Sequence, residues 1–330
     1  MAFYLGSNQI DNSGISYYIG SNFYNEENLF LQRQITQFSS NISIIGSYAF
    51  YSCSKLVSID LPQVTIIGGY AFTDCNSLAS TNLPQVTSIG NNAFVNCISL
   101  TSISLLLTTL IGDNAFNNCY LLALVNLPQV ISIGNGAFAY CRSLTSVNLP
   151  QATTIGNSVF QFCTALTSAN LPQATTIGSS AFRYCSALTS VNLPQASIIG
   201  NYAFSNCSHL VSVNLPQATT IGNGAFRACY SLTSISIPQA TTIGNGAFEY
   251  CSVLASISLP QVSIINNYAF KSCYSLRSLY LLGSSIPTLS DRNVFNSAGT
   301  NFSIYVPASL YNDYLTATNW SAFSSRFVSV

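Results

Sequence analysis

Eleven cysteines stand 22 residues apart: Cys53, Cys75, Cys97, Cys119, Cys141, Cys163, Cys185, Cys207, Cys229, Cys251 and Cys273. Thiols can ligate a metal, pair as disulfides or attack as nucleophiles, and each chemistry makes a demand on spacing. Cysteine zinc sites draw ligands from close C-x-x-C pairs; a 22-residue period offers none, and His209 is the only imidazole. Disulfides need converging Cβ vectors, whereas side chains projecting the same way from equivalent repeat positions run parallel, and eleven is an odd number. Cys207 followed by His209 is the one nucleophile–base combination. No carboxylate recurs beside it to orient the ring, and the nine acidic residues are scattered along the chain. No Ser/His/Asp set or carboxylate pair can be nominated either. The ladder therefore reads as small buried hydrophobes, with no catalytic residue, metal or cofactor implied.

The elements that position these thiols are legible in the same register. Phe recurs at 50, 72, 94, 116, 138, 160, 182, 204, 226, 248 and 270, three residues before each Cys, and Leu follows three residues after it, from Leu56 to Leu276. An Ile-Gly pair precedes the Phe in every unit except the last, which has Ile265-Asn266. Leu-Pro or Ile-Pro closes the units, with Leu105-Leu106 and Leu281-Leu282 as exceptions. In the middle unit Ala137, Cys141 and Leu144 sit at i, i+4 and i+7 with Phe138 beside them, the spacing of one face of a short helical turn. The following "LTSVNLP" puts Val147 and Leu149 on one side of an extended segment and Ser146 and Asn148 on the other, a short strand with one buried face. Pro150 ends the strand for want of an N–H. Gln-Ala-Thr-Thr then leads to Ile155 and Gly156, and the glycine is expected to permit the turn into the next unit.

One such unit cannot bury its apolar face, but stacked neighbours can. The expected fold is an α/β repeat solenoid: a rod of 22-residue units, each a short strand plus a short helical turn, with parallel strands on one face and caps at both ends. The expected organisation is an N-terminal cap or attachment segment at 1–42, eleven repeats at 43–283, and a degenerate twelfth repeat with a C-terminal cap at 284–330. In that last segment Val294-Phe295, Ile304 and Val306-Pro307 keep the repeat spacing, with Ala298 in the cysteine slot, and Trp320 is expected to pack over the open end.

"LTSVNL" fits the L-x-x-L-x-L strand signature of leucine-rich repeats, although Ala152 occupies the place where Asn or Cys would follow. With "IGNGAFxxCxxLTSVNLP" the whole unit resembles the BspA-like (Treponema-type) leucine-rich repeat over about 45–283. That resemblance implies a scaffold for cell-surface adhesion and protein binding rather than catalysis, and it assigns no individual binding residue. At the other end "YLGSN" at 4–8 is echoed by "YIGSN" at 18–22. Such short repeats resemble those at the front of bacteriophage tail-fibre and accessory virion proteins.

Composition bounds the partners. Only 5% of residues are charged and the net charge is zero, so the clustered positive charge that holds nucleic acid or an anionic membrane is missing. The most apolar stretch, 104–112, is far short of the roughly 18 residues of a spanning helix, so no membrane insertion is expected. The N-terminus lacks the charge, apolar core and cleavage site of a secretory signal.

Recognition is expected where the repeat departs from itself. The residues around the slot before each cysteine vary and hold Tyr140, Phe162, Arg183, Tyr184, Arg227 and Tyr250; aromatic and Arg side chains are the usual interface anchors. The plainer alternative is that these rings roof the edge of the core. A second candidate is the outward strand face, a row of Ser with Leu124 the exception, and of Asn at 82, 126, 148, 170, 192 and 214. It could meet a glycan or a protein, or merely solvate the strand. A row of Thr at 153, 175, 219 and 241, interrupted by Ile131 and Ser197, raises ice binding as a minor alternative. The expected function is a non-enzymatic adhesion or structural protein, a phage fibre or accessory virion protein presenting the repeats to a protein or glycan on a host surface. Its N-terminal segment would contact other virion proteins. The alternative is a bacterial cell-surface adhesin of the same repeat family.

Overall fold

A computed structural model describes residues 2–5, 8–9 and 35–330. The chain is a parallel β-solenoid of about 13 turns built from ~22-residue repeats. It divides into two compact units, Met1–Ala152 with Val159–Leu166, and Thr153–Ser158 with Thr167–Val330.

The turn that starts at Ser212 in the second unit represents the rest. Ser212–Asn214 is a strand whose middle residue alone is buried, because successive side chains alternate across a strand. It pairs in parallel with Ser234–Ser236, residue for residue one repeat on. Leu215 and Ala218 turn inward around Pro216. A second strand of two residues, Thr220–Ile221, then pairs in parallel with Ile198–Ile199 and Thr242–Ile243. This strand was not anticipated from the sequence, since two residues are too few to display a period. Ala225, Phe226, Cys229 and Leu232 complete the buried face. The same order recurs in the first unit, for example at Ser102–Ser104 and Leu110–Ile111.

The expected helical turn is not formed. Around Phe204, the N–H groups of Ala203, Ser205 and Cys207 donate to carbonyls three residues back, at 3.3, 3.1 and 3.1 Å. The alternate ones, on Tyr202, Phe204 and Asn206, donate across to Asn223, Ala225 and Arg227 of the next turn at 2.7, 2.7 and 2.8 Å. A helix spends every N–H on itself; here half are spent on the neighbouring turn, so the corner is another ladder of the stack. The alternation is set by two residues per corner in the left-handed region, two before and two after each Phe, such as Tyr202 at φ 56° and Asn206 at φ 63°.

The glycine that precedes each corner plays a different part from the expected one. Gly222 is not left-handed; a Cβ there would lie 2.7 Å from the backbone carbon of Gly200 and 2.7 Å from the nitrogen of Asn201. The column of glycines lets successive turns approach, and Asn266 takes its place only in the last regular repeat. Gly222→Ala is expected to cost about 1–3 kcal/mol as an overpacked contact with backbone, read as a lowered urea midpoint.

The ladder of three-residue strands is extended at both ends. Ala2–Leu5 runs antiparallel to Gln37–Ser39 and covers the edge that this first strand would otherwise expose. The second copy of the short N-terminal echo, at 18–22, and residues 6–7 of the first lie outside the described residues. At the C-terminal end Phe295 stacks on Phe270 at 5.7 Å, continuing the array without a cysteine. Ser303–Val306 and Phe327–Ser329 add two more parallel strands. Between them a short helix, Tyr311–Thr316, buries Tyr314, and Trp320 is buried beside it with Nε1–H donating to the carbonyl of Pro287 at 2.7 Å.

Candidate functional site

The cysteines are the side chains with the most consequential potential chemistry. All eleven are fully buried and none is in a disulfide. In the first unit the Sγ–H of Cys75, Cys97, Cys119, Cys141 and Cys163 each donates to the carbonyl of the Phe 25 residues earlier, at 3.1–3.3 Å. Cys207, Cys229, Cys251 and Cys273 do the same in the second unit. Each thiol thus ties its turn to the preceding one. Burial raises the pKa of these nine thiols, Cys273 up to about 12. Since the thiolate is the reactive form, an exposed-thiol reagent at neutral pH is expected to modify fewer than one thiol per chain under native conditions, and all eleven after denaturation; fast native labelling of most would overturn this account.

Cys207 and His209 are not brought together. The thiol points into the core toward Phe182, while His209 is exposed, its Nδ1 lying 2.7 Å from the carbonyl of Ser186. That oxygen only accepts, so Nδ1 carries the proton. Among the described residues no group of three or more His, Cys, Asp or Glu is placed to hold a metal.

The polar rows are largely engaged along the stack. Thr175, Ser197, Thr219 and Thr241 donate their hydroxyls to the carbonyl one turn back, at 3.1–3.3 Å, so the regular Thr row is a backbone tie before it is a water-ordering surface. On the three-residue strands Asn192 donates to Asn170 at 2.7 Å. A shallow depression of about 520 Å³ spans Gln37–Ser39, Ser58–Asp60 and Ser80–Asn82. Its one carboxylate, Asp60, already accepts from Ser39 at 3.3 Å and Asn82 at 2.7 Å.

The six residues nominated around the variable slot are all half-buried, which leaves part of each side chain at the surface. Four of them, Tyr140, Phe162, Tyr184 and Tyr250, occupy the left-handed position after the Phe, an uncommon place for bulky side chains. Tyr140 and Phe162 stack at 4.7 Å in the first unit. In the second unit the guanidinium of Arg183 lies over the rings of Tyr184 and Tyr202, 5.0 and 5.3 Å from their centroids. Arg227 Nε donates to Glu249 at 2.8 Å, and Lys271 Nζ lies 2.9 Å from the other oxygen of that carboxylate. Lys271 also stands over Tyr250 and Tyr268. Its ammonium is held above the usual lysine range, chiefly by the hydrogen bond to Glu249. Lys271, Tyr202 and Tyr268 were missed from sequence. The signal that could have found Lys271 is register: it stands at the same place in its repeat as Arg183 and Arg227.

Three kinds of comparison place this architecture among known proteins. The profile described as "BspA type Leucine rich repeat region (6 copies)" matches residues 18–122, 109–217 and 175–301. No curated protein matches the chain. A leucine-rich repeat protein from Bacteroides ovatus is 27% identical with a TM-score of 0.65, over 90% of this chain and 84% of that one. A leucine rich cell surface protein from Faecalibacterium prausnitzii is 25% identical with a TM-score of 0.51, over 98% of each. A leucine-rich repeat protein from Eubacterium ventriosum shares the fold at 18% identity and a TM-score of 0.50, over 91% of this chain and 95% of that one. No helix among the described residues is long and apolar enough to cross a membrane.

Proposed function

Because the chain belongs to the BspA-type leucine-rich repeat family, we propose that it is a non-enzymatic adhesion module of a bacterial cell surface, binding a protein or glycan through its repeat array. The observation that carries this reading is the division of labour within each turn. The thiol of each repeat is buried, nine of them donating to backbone, while the variable aromatic and basic residues gather, half-buried, at one corner of the turn. A surface built mainly from Ser, Thr, Asn and aromatic side chains offers hydrogen bonds and flat apolar contacts with little charge to desolvate, which suits recognition of an extended partner. The likeness to a cell surface protein of Faecalibacterium prausnitzii supports the same setting.

Labelled full-length chain incubated with intact epithelial cells and with intact bacteria tests the proposal. Saturable binding that protease or periodate treatment of the cells removes is the expected result; no saturable binding to either would overturn it. A second reading, a fibre or accessory protein of a virion, is favoured by the YLGSN and YIGSN echo at 4–8 and 18–22. Antibody against the chain separates the two, by labelling either the bacterial envelope or phage particles.

A further inference from the structure

A one-electron oxidant reaching the surface of this chain meets tyrosine before the more easily oxidised side chains. All eleven cysteines and Trp320 are buried, a buried structural thiol is inert, and Met1 is the single methionine. What an oxidised tyrosine then does depends on whether a second tyrosine lies beside it, and two such pairs occur in the repeat array. In the first unit Tyr48 and Tyr70 hold one register position, two residues before the core Phe. Their rings are 4.8 Å apart and within 3° of parallel, and the two residues are 47% and 37% exposed. Tyr51 lies farther from Tyr48, at 5.8 Å and tilted by 53°. In the second unit Tyr280 and Tyr305 are directly opposed on neighbouring parallel strands, both half-buried, with rings 4.5 Å apart and 15° from parallel.

Both pairs are products of the stacking itself. Equivalent side chains on adjacent turns are displaced by one strand spacing, about 4.8 Å, so near-parallel rings put each Cε carbon roughly that far from its counterpart. Tyr48 and Tyr70 leave the backbone at left-handed positions, φ 61° and 58°, and the N–H of Tyr48 donates to the carbonyl of Gly69 at 3.0 Å. Beside the second pair, the N–H of Leu281 donates to the carbonyl of Tyr305 at 2.9 Å. The backbone therefore keeps each pair together, while rings open to solvent on one side retain freedom to turn about χ1 and χ2. Exposure alone does not create such a pair. Tyr230 and Tyr274 are 50% and 60% exposed, yet neither is in ring contact with another tyrosine among the described residues.

We propose that Tyr48–Tyr70 and Tyr280–Tyr305 are sites of oxidative coupling to dityrosine by a haem peroxidase with hydrogen peroxide. Each phenol gives up one electron and its proton, and the unpaired spin spreads to the ring carbons ortho to oxygen. A Cε–Cε bond forms between the two radicals. The hydrogens on those two carbons pass to the oxygens, so both rings regain aromaticity and both phenols re-form. The pair has lost two electrons and two protons, which one hydrogen peroxide takes up to become two waters. The first link staples the first two regular repeats to each other, and the second staples the last regular repeat to the degenerate turn after it. Turns near the ends of a stacked array open most readily, and a covalent link between turns restricts that opening as a disulfide restricts an unfolded chain.

This inference stands apart from the adhesion reading. The test treats the dilute full chain, native and under limiting hydrogen peroxide, with a haem peroxidase, then reads dityrosine fluorescence and maps cross-linked peptides by mass spectrometry. Within-chain links Tyr48–Tyr70 and Tyr280–Tyr305, each two hydrogens lighter than its separate peptides, are the expected main products. All eleven thiols should still titrate after denaturation, and the urea midpoint of the cross-linked chain should rise. The variant Tyr48→Phe/Tyr305→Phe keeps both ring stacks and should lose the within-chain dityrosine. Tyr230→Phe/Tyr274→Phe should leave it unchanged, and circular dichroism confirms that both variants fold. Links chiefly at Tyr230 or Tyr274, links between chains only, coupling of Tyr48 to Tyr51 in place of Tyr70, or consumption of thiols in place of tyrosines would overturn the proposal. A chain that cross-links as described yet binds no cells would leave this inference standing and count against the adhesion reading alone.

Discussion

Above about pH 9 the stability of the protein is expected to fall by roughly 5–7 kcal/mol per pH unit in each compact unit, enough to unfold it before about pH 11. The cause is the cysteine ladder. Five thiols in the first unit, Cys75 to Cys163, and four in the second, Cys207 to Cys273, are held above the ordinary thiol range, first by burial and in several cases also by one another. Their folded-state pKa is raised, so the native protein keeps these protons while the unfolded chain releases them from about pH 8.5 upward. The unfolded state then binds fewer protons than the native one, and stability declines as pH rises, by about 1.4 kcal/mol per thiol per pH unit. Below about pH 8 both states hold the proton and the ladder contributes no pH dependence. Tyr314, pushed up by burial, adds in the same direction. Urea midpoints taken under a reductant at pH 7.5 and 10 measure the effect. The double variant Cys229→Ala/Cys251→Ala should reduce the slope of the second unit by about half. Equal midpoints at the two pH values would show that the thiols ionise in place.

The largest effect of a single substitution is expected from Phe204→Ala, at about 3–5 kcal/mol. Phe204 is fully buried, stacked on Phe182 at 5.2 Å and on Phe226 at 5.3 Å. Its truncation removes apolar burial and leaves a cavity that two rings line. Repacking is obstructed because each neighbour is itself held by the next ring in the column. Stacked repeats interact only with their neighbours, so the loss concentrates in the turns around Phe204 and should broaden or split the denaturation transition of the second unit. Phe204→Leu should cost less because it refills part of the space. A midpoint shift worth under about 1 kcal/mol would mean that the column slides to close the gap.

Much of this molecule is legible without coordinates. The 22-residue register of Ile, Phe, Cys and Leu specifies a stacked solenoid, because a side chain that recurs at every turn must be buried by its own copy in the next. The alternation in "LTSVNLP" places Val inward and Ser and Asn outward, as at Ser146–Asn148. The burial of the thiols follows from the same register. What failed was local. The corner read as a helical turn because Ala, Cys and Leu share helical spacing, yet a ladder corner with two left-handed residues satisfies the same spacing. The glycine before it read as a turn residue, whereas its conformation is ordinary and only the neighbouring turn forbids a side chain. At the candidate site Arg183 and Arg227 were identifiable as departures from the repeat. Lys271 stands out only when its register is aligned with that of Arg227 and Arg183, two and four repeats earlier.

The sequence by itself determined the period, the inward and outward faces of the long strand, and the burial of the cysteines, since each is a statement about residues recurring at one position. Tertiary structure alone decided how backbone hydrogen bonds are shared between turns, why Gly222 cannot carry a side chain, and that Arg227 and Lys271 are joined through Glu249. Those are relations between residues about 22 apart in sequence and one strand spacing, roughly 4.8 Å, apart in space, a distance that only the stacked chain creates.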